Sequence, residues 1–188
     1  EWTLAGYDVL GIVREREGNR LTTSAPLDNY PTADARYICI VAGSDTNFSR
    51  LCKAMGRPEL VDDPRYATLA DRAARSDEIN DLVAAWTSSL PTSEVEYRCI
   101  AEEVPVATAY TAADIFADPH MTARGDLVTV EDPVLGPVRQ QAPFPRFVGA
   151  EPPVPSGAPR LGEHNDEVWG ALGLDVDEQA RLHAAGIL

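Results

Sequence analysis

Closely spaced prolines between residues 142 and 160 set the strictest limit on how this chain can fold. They are Pro143, Pro145, Pro152, Pro153, Pro155 and Pro159. Each proline fixes φ and removes a backbone N–H, so that neither a regular helix nor a central strand can pass through this stretch. We therefore expect an extended strap, partly in the polyproline II conformation, that joins a compact domain to the segment that follows it.

A short helix is predicted directly after the strap, with Asn165 as its N-cap. Acidic residues in its first turn suit the positive end of the helix dipole, and Trp169 contributes to its apolar face. A last helix is predicted from Asp175, which has Glu178 at capping-box spacing. The strap and these two helices predict a C-terminal segment that docks on another body.

The part before the strap has the pattern of one compact domain built on a buried strand. Residues Tyr37–Val41 form a short run of mainly apolar residues, and both faces of this strand would be apolar. A helix capped by Asp45 and containing Leu51 follows, and a longer helix begins at Ser76 and contains Trp86. We expect these two helices to cover both faces of the sheet.

The other elements of this domain are predicted from turn signals. Residues 18–31 are predicted to form a loop. Residues 127–130 and 138–141 are predicted to be strands, and the turn between them, which is rich in proline and glycine, makes them a β-hairpin. The domain is therefore expected to combine helices with small antiparallel sheets.

The composition argues against several classes of function. The 188 residues carry a net charge of −14, which argues against binding to nucleic acid or to an anionic membrane surface. No apolar run is long enough to span a bilayer. The three cysteines lack CxxC spacing and the three histidines lie far apart in sequence. No metal site is therefore predicted, and the cysteines are expected to be buried thiols of a cytoplasmic protein.

Short motifs follow one another along the chain in a fixed order. They are Tyr30–Asp34 with Arg36 and Tyr37, LCKAMGRP at 51–58, DDPRY at 62–66, Arg72, Val104 with Pro105, DPH at 118–120 with Arg124 and Gly125, LGPV at 135–138, and LGEHNDEV at 161–168. In this order they resemble motifs of the class III coenzyme A transferases, which include formyl-CoA transferase, carnitine CoA-transferase and α-methylacyl-CoA racemase. The resemblance extends from the region of residue 18 to residue 188.

The resemblance implies an α/β protein of which this chain holds one part. Residues 18–142 correspond to the family's small domain, an α+β unit with a small antiparallel sheet and covering helices. Residues 1–17 are expected to be either the end of a segment of the Rossmann-like large domain or a connector to it, and that large domain is largely absent from this sequence. Residues 143–160 form the strap, and residues 161–188 form a helical segment that returns to the large domain.

The same resemblance implies a reaction on coenzyme A thioesters. Members of the family move CoA between an acyl-CoA and a carboxylic acid through an anhydride on an aspartate of the large domain. That aspartate and most CoA contacts would lie outside this chain, so we expect the chain alone to be inactive. The full-length enzyme is expected to be a homodimer of interlocked subunits. The alternatives are an acyl-CoA racemase or isomerase of the same family and a non-catalytic acidic interaction module.

Three residues are candidates for a functional site. Asp45 follows the strand at the place where the racemase carries a glutamate near its active site, and it is the candidate catalytic residue; its alternative role is that of a helix cap. Asn19 lies at the entrance of the 18–31 loop and is the candidate for substrate binding. His164 has Glu163 beside it, a pair able to transfer protons, but its motif favours a docking role.

One loop and one turn residue depart from the family pattern. Formyl-CoA transferase has a glycine-rich loop over its active site, whereas residues 19–29 here contain no glycine. The family's turn glycine is replaced by Ala35. If the turn is a two-residue hairpin with positive φ, alanine costs about 1–2 kcal/mol, which suggests that the turn type differs.

Overall fold

The computed structural model describes residues 2–21, 23–149 and 156–188. The chain divides into two compact units, Glu1–Tyr110 and Thr111–Leu188. Among the described residues, no helix is long and apolar enough to cross a membrane. The boundaries expected after residues 17, 142 and 160 stay predictions.

Short helices and short antiparallel strands are distributed along the whole described chain. The helices are α1 (Trp2–Leu10), α2 (Asp45–Ala54), α3 (Leu69–Ala74), α4 (Ser76–Ser88), α5 (Thr92–Ala101), α6 (Ala112–Ala117), α7 (Pro119–Arg124), α8 (Asn165–Ala171) and α9 (Val176–Ala184), with a 3-10 turn at Pro58–Val61. The strands are β1 (Leu27–Pro31), β2 (Tyr37–Val41), β3 (Val106–Thr108), β4 (Leu127–Asp132) and β5 (Gly136–Gln141). This mixed α/β architecture with small antiparallel sheets confirms the predicted fold class.

The first unit is built on a three-stranded antiparallel sheet in the order β1–β2–β3. The central strand β2 coincides with the predicted strand. Strand β1 lies inside residues 18–31, so the prediction of a loop was wrong for the last part of that segment. Polar residues and a final proline make β1 look like a loop, but an edge strand tolerates proline at its end because one side of it makes no ladder hydrogen bonds.

Among the residues that the structure describes, side chains cover one face of this sheet and leave the other open. Ile38 and Ile40 are fully buried, whereas Tyr37 is 55% exposed and Val41 is 40% exposed. The prediction that helices cover both faces was therefore wrong. The buried face packs against side chains from α2, α4 and α5, which include Phe48, Leu51, Cys52, Ile79, Val83, Val95 and Cys99. An antiparallel sheet can leave its second face open in this way, whereas the crossover helices of a parallel sheet cover both faces.

Two of the predicted helix caps were wrong by one residue. The N-cap of α2 is Ser44, whose hydroxyl accepts a backbone N–H, and Asp45 is the first helical residue. Helix α8 likewise begins at Asn165, with His164 before it. The predicted cap of α9 at Asp175 is confirmed. Serine and aspartate are both good caps, so adjacent candidates cannot be separated by residue type alone.

The turn between β1 and β2 is a three-residue loop rather than a two-residue one. The Thr32 N–H donates to the Arg36 carbonyl at 3.0 Å, which leaves residues 33–35 in the loop. Ala35 has a φ of 58°, the left-handed conformation that the last residue of such a loop adopts. The hydroxyls of Thr32 and Thr92 donate to Asp34 Oδ1 and hold the pKa of that carboxyl at about 2. These bonds tie the turn to α5.

Replacing Ala35 with glycine is expected to raise the free energy of unfolding by about 0.5–1 kcal/mol, because relief of the left-handed strain exceeds the extra entropy of an unfolded glycine. Urea denaturation midpoints measure this gain. Ala33→Gly is the matched control, because Ala33 lies in the same loop without a positive φ, and it should be slightly destabilising. Equal effects of the two substitutions would contradict the strain argument.

The second unit combines a β-hairpin with four short helices in its described residues. Strands β4 and β5 pair with Val130 opposite Val138, which confirms the predicted hairpin. The strap residues 143–149 and 156–160 contain neither helix nor strand, as predicted. The strap prolines Pro152, Pro153 and Pro155 lie outside the described residues. Within the described part of this unit the buried residues are Val130, Ala142 and Gln179.

Candidate functional site

A fully buried arginine organises one corner of the first unit. Arg72 lies on the short helix α3, which begins with a capping box between Thr68 and Asp71. The threonine hydroxyl accepts the Asp71 N–H, and the Asp71 carboxylate accepts from the threonine backbone and hydroxyl. This reciprocal cap allows a six-residue helix to form and fixes the direction in which the arginine enters the core.

The guanidinium of Arg72 donates to three backbone carbonyls and one carboxylate. Its Nε donates to Ala25 O at 3.2 Å, and its Nη1 donates to Tyr66 O at 2.8 Å. Its Nη2 donates to Gly43 O at 2.8 Å and to Asp45 Oδ1 at 2.6 Å. A planar guanidinium can hold several acceptors at once, so this side chain joins three separate segments of backbone.

The environment of the Arg72 charge is largely apolar apart from these acceptors. The Phe48 ring lies 4.5 Å below the guanidinium carbon, within cation–π distance. Asp45 is the carboxylate that pairs with this charge in the described structure. Its side chain is 67% exposed, so it is bonded to arginine on one side and open to solvent on the other. Asp45 is therefore held in place while keeping acceptor capacity for a ligand.

Close backbone contact completes the corner. A Cβ on Gly43 would lie only 1.9 Å from Ser24 Oγ and 3.2 Å from Ser24 Cβ, so any larger residue at this position would force Ser24 to move. The Ala42 N–H donates to Pro26 O at 3.0 Å beside this contact. These contacts hold the end of the segment formed by residues 18–26 against the end of β2. We call Ser24, Ala25, Gly43, Asp45 and Arg72 the Arg72 corner.

The structure places Asn19 on an exposed turn at the other end of the same segment. The neighbouring Arg20 anchors this turn, since its Nε donates to Asp28 at 2.6 Å and its Nη1 to Asp77 at 2.7 Å. No hydrogen bond between Asn19 and Asp45 occurs in the described structure. Asn19 therefore lies in the 18–26 segment, and Asp45 lies beside the contacts that hold the far end of that segment. The two candidates do not bond to each other.

His164 lies in the other unit, exposed and directly before α8. The three thiols are free. Burial raises the pKa of the Cys52 and Cys99 thiols to about 12, so both stay protonated at neutral pH. Cys39 is half-buried on the open sheet face. Among the described residues, no three His, Cys, Asp or Glu side chains lie where they could hold a metal ion.

The sequence reasoning missed most of the Arg72 corner. Arg72 was noted as part of a motif but not as a site residue, and Ser24 and Gly43 were not singled out. Its acceptors lie 6 to 47 residues away in sequence. The one available signal was Gly43 itself, a glycine directly after a strand, which often marks a close backbone approach.

Comparison with known proteins places these features in a family. The sequence model described as CoA-transferase family III matches residues 1–165. Succinyl-CoA–D-citramalate CoA-transferase of Chloroflexus aurantiacus is 40% identical over 183 residues, which are 97% of this chain and 46% of that protein. Succinyl-CoA:mesaconate CoA-transferase of Haloarcula marismortui is 32% identical over 177 residues, 94% of this chain and 44% of that protein.

A solved structure shares the fold. The CAIB/BAIF family protein from Brucella suis matches with a TM-score of 0.68 and 28% sequence identity. The match covers 90% of this chain and 43% of that chain. The present chain thus spans less than half the length of the proteins that it resembles.

Proposed function

The chain belongs to CoA-transferase family III, and we propose that it forms one part of an enzyme that moves coenzyme A between an acyl-CoA thioester and a carboxylic acid. The observation that carries the proposal is the 40% identity, along nearly the whole chain, to a CoA-transferase of which it spans 46%. We place the aspartate that would form the acyl anhydride in the portion of the enzyme outside this chain. The whole enzyme is proposed to be an interlocked homodimer.

The acyl donor is proposed to be succinyl-CoA and the acceptor a dicarboxylic acid. The names of both relatives pair succinyl-CoA with a dicarboxylic acid, D-citramalate in one and mesaconate in the other. A carboxylic acid that accepts CoA has to be bound as its anion. The second carboxylate group of a dicarboxylic acid is a further group that the enzyme can bind. Because this chain is strongly acidic as a whole, we expect the rest of the enzyme to contribute further cationic contacts to both substrates.

The Arg72 corner is proposed to face the acyl-CoA. There Asp45 would accept an N–H or O–H of the substrate with its open side, while Arg72 fixes its orientation from below. We assign Asn19 to substrate binding, because an exposed side-chain amide both donates and accepts hydrogen bonds. Arg72 is a positioning residue, since it is fully buried and acts through Asp45.

The isolated chain is expected to show no CoA transfer, because the proposed nucleophile lies outside it. The measurement is chromatographic separation of CoA thioesters after incubation with succinyl-CoA and either D-citramalate or mesaconate. A full-length relative run in parallel shows that the assay works. Turnover by the chain, in protein purified from a host without CoA-transferase activity, would refute the assignment of the nucleophile.

A further inference from the structure

The second unit contains a positively charged groove in an otherwise acidic segment. Residues 111–188 include twelve Asp or Glu, five Arg and no Lys. A groove of about 660 Å³ is lined by parts of α6, α7, the hairpin and the start of the strap. Three of those five arginines line it, Arg124, Arg139 and Arg146, together with Asp126 as its one acidic lining residue in the described structure. Charge is therefore segregated, with cations concentrated at one concave surface.

The single carboxylate does not neutralise this groove. Asp126 is shared, with Oδ2 at 3.0 Å from Arg124 Nε and Oδ1 at 3.2 Å from Arg146 Nη2. The guanidinium of Arg139 lies 4.4 Å from the centre of the Phe116 ring. No carboxylate pairs with Arg139 among the described residues. The groove consequently carries surplus positive charge that an anion can satisfy.

The walls of the groove are apolar and aromatic. Phe116 lies on one element, the helix α6, and Phe144 lies on another, the start of the strap, where its side chain is 77% exposed. Ile115 and Met121 add aliphatic surface. An aromatic side chain exposed beside an arginine is a stacking platform for a nucleic acid base, whose phosphates then meet the guanidinium groups. The volume lies within the range of pockets for small organic ligands, about 300–1,000 Å³.

We propose that this groove binds a nucleoside phosphate. The base stacks on Phe144 and Phe116, and the phosphates bind Arg139 and the Arg124–Arg146 pair. Two sources share this chemistry, a free adenine nucleotide and the phosphorylated adenosine end of a CoA thioester. The proposal concerns residues of the second unit, whereas the Arg72 corner belongs to the first unit, and it is measured by binding rather than by turnover.

The test is isothermal titration of the 188-residue protein with 3′,5′-ADP at low ionic strength. We expect binding that weakens with added salt and that falls about tenfold or more in Arg139→Gln and in Phe144→Ala. Phe144→Ala serves as the second variant because its exposed ring contributes little to folding. Arg181→Gln is the matched control, since Arg181 lies on α9, pairs with Glu178 and is not one of the residues that line the groove; it should bind like the parent.

Further ligands show which parts of the nucleotide are bound and whether the ligand is a CoA thioester or a free nucleotide. Adenosine, which has no phosphate, and succinate, which has no base, should each bind at least about tenfold more weakly than 3′,5′-ADP if both halves of the ligand are used. CoA binding more tightly than ATP supports the thioester source, and ATP binding at least as tightly as CoA supports a free nucleotide. Absence of binding by every nucleotide, equal binding of adenosine or succinate, or unchanged binding in Arg139→Gln would overturn the proposal.

Discussion

Replacing Arg72 with leucine is expected to lower the free energy of unfolding by about 3–5 kcal/mol, because three buried carbonyl groups lose their hydrogen-bond donor at once. Those carbonyls belong to Ala25, Gly43 and Tyr66, all of which are buried residues. Lysine keeps the charge but lacks the planar fork, so Arg72→Lys should recover only part of the loss. Denaturant midpoints measure both variants.

The matched control is Arg75→Leu at the end of the same helix. Arg75 is exposed and makes one long hydrogen bond to Asp71 O, so its replacement should change stability by less than about 0.5 kcal/mol. Asp45→Asn keeps an acceptor beside Arg72 and should also be mild, since the carboxylate is largely exposed. An Arg72→Leu variant as stable as Arg75→Leu would show that the corner does not depend on this side chain.

Replacing Leu51 with alanine is expected to lower the free energy of unfolding by about 2–5 kcal/mol, because apolar surface is no longer buried and a cavity remains. Leu51 is fully buried on α2 in the cluster that contains Ile38 and Ile40. The control is Ile100→Ala, an aliphatic truncation of similar size on the exposed side of α5. Unfolding midpoints in urea compare the two directly. An equal and small effect of both would mean that α2 does not cover the sheet.

Trp86 illustrates how an apolar stripe overstates burial. The stripe on α4 predicted a core position, but Trp86 is only partly buried and packs at the edge of the cluster. Its indole nitrogen has no hydrogen-bond partner in the described structure. Trp86→Ala should therefore lower the free energy of unfolding by less than the truncation of a fully enclosed ring does, since a partly open site leaves a smaller cavity.

Local pattern predicted the elements whose signals are contained in one segment. Strand β2, the hairpin and helix α4 were found because periodicity or turn residues mark each of them within a few positions. Strand β1 was missed because its pairing with β2 comes from another segment and its own residues are polar. The open face of β2 was missed for a related reason, since an apolar alternation does not say whether a layer exists to cover it.

The site was predictable only in part for the same physical reason. Asp45 was selected from its place after a strand and from a family resemblance, and its role stays a prediction. The pairing with Arg72 spans 27 residues and depends on a helix that exists because of its own capping box. A buried arginine has the same residue type as a solvated one, so only tertiary structure identifies it.

The most direct test replaces the matching 183 residues of the Chloroflexus aurantiacus D-citramalate CoA-transferase with this chain and measures CoA transfer from succinyl-CoA. The predicted result is transfer to a dicarboxylic acid by the chimera, with none by the chain alone. In the chimera, Asp45→Ala should reduce kcat/KM at least about tenfold, whereas Asp166→Ala on α8 should not. A folded chimera that transfers CoA to neither D-citramalate nor mesaconate would contradict the proposal that this chain supplies part of a CoA-transferase.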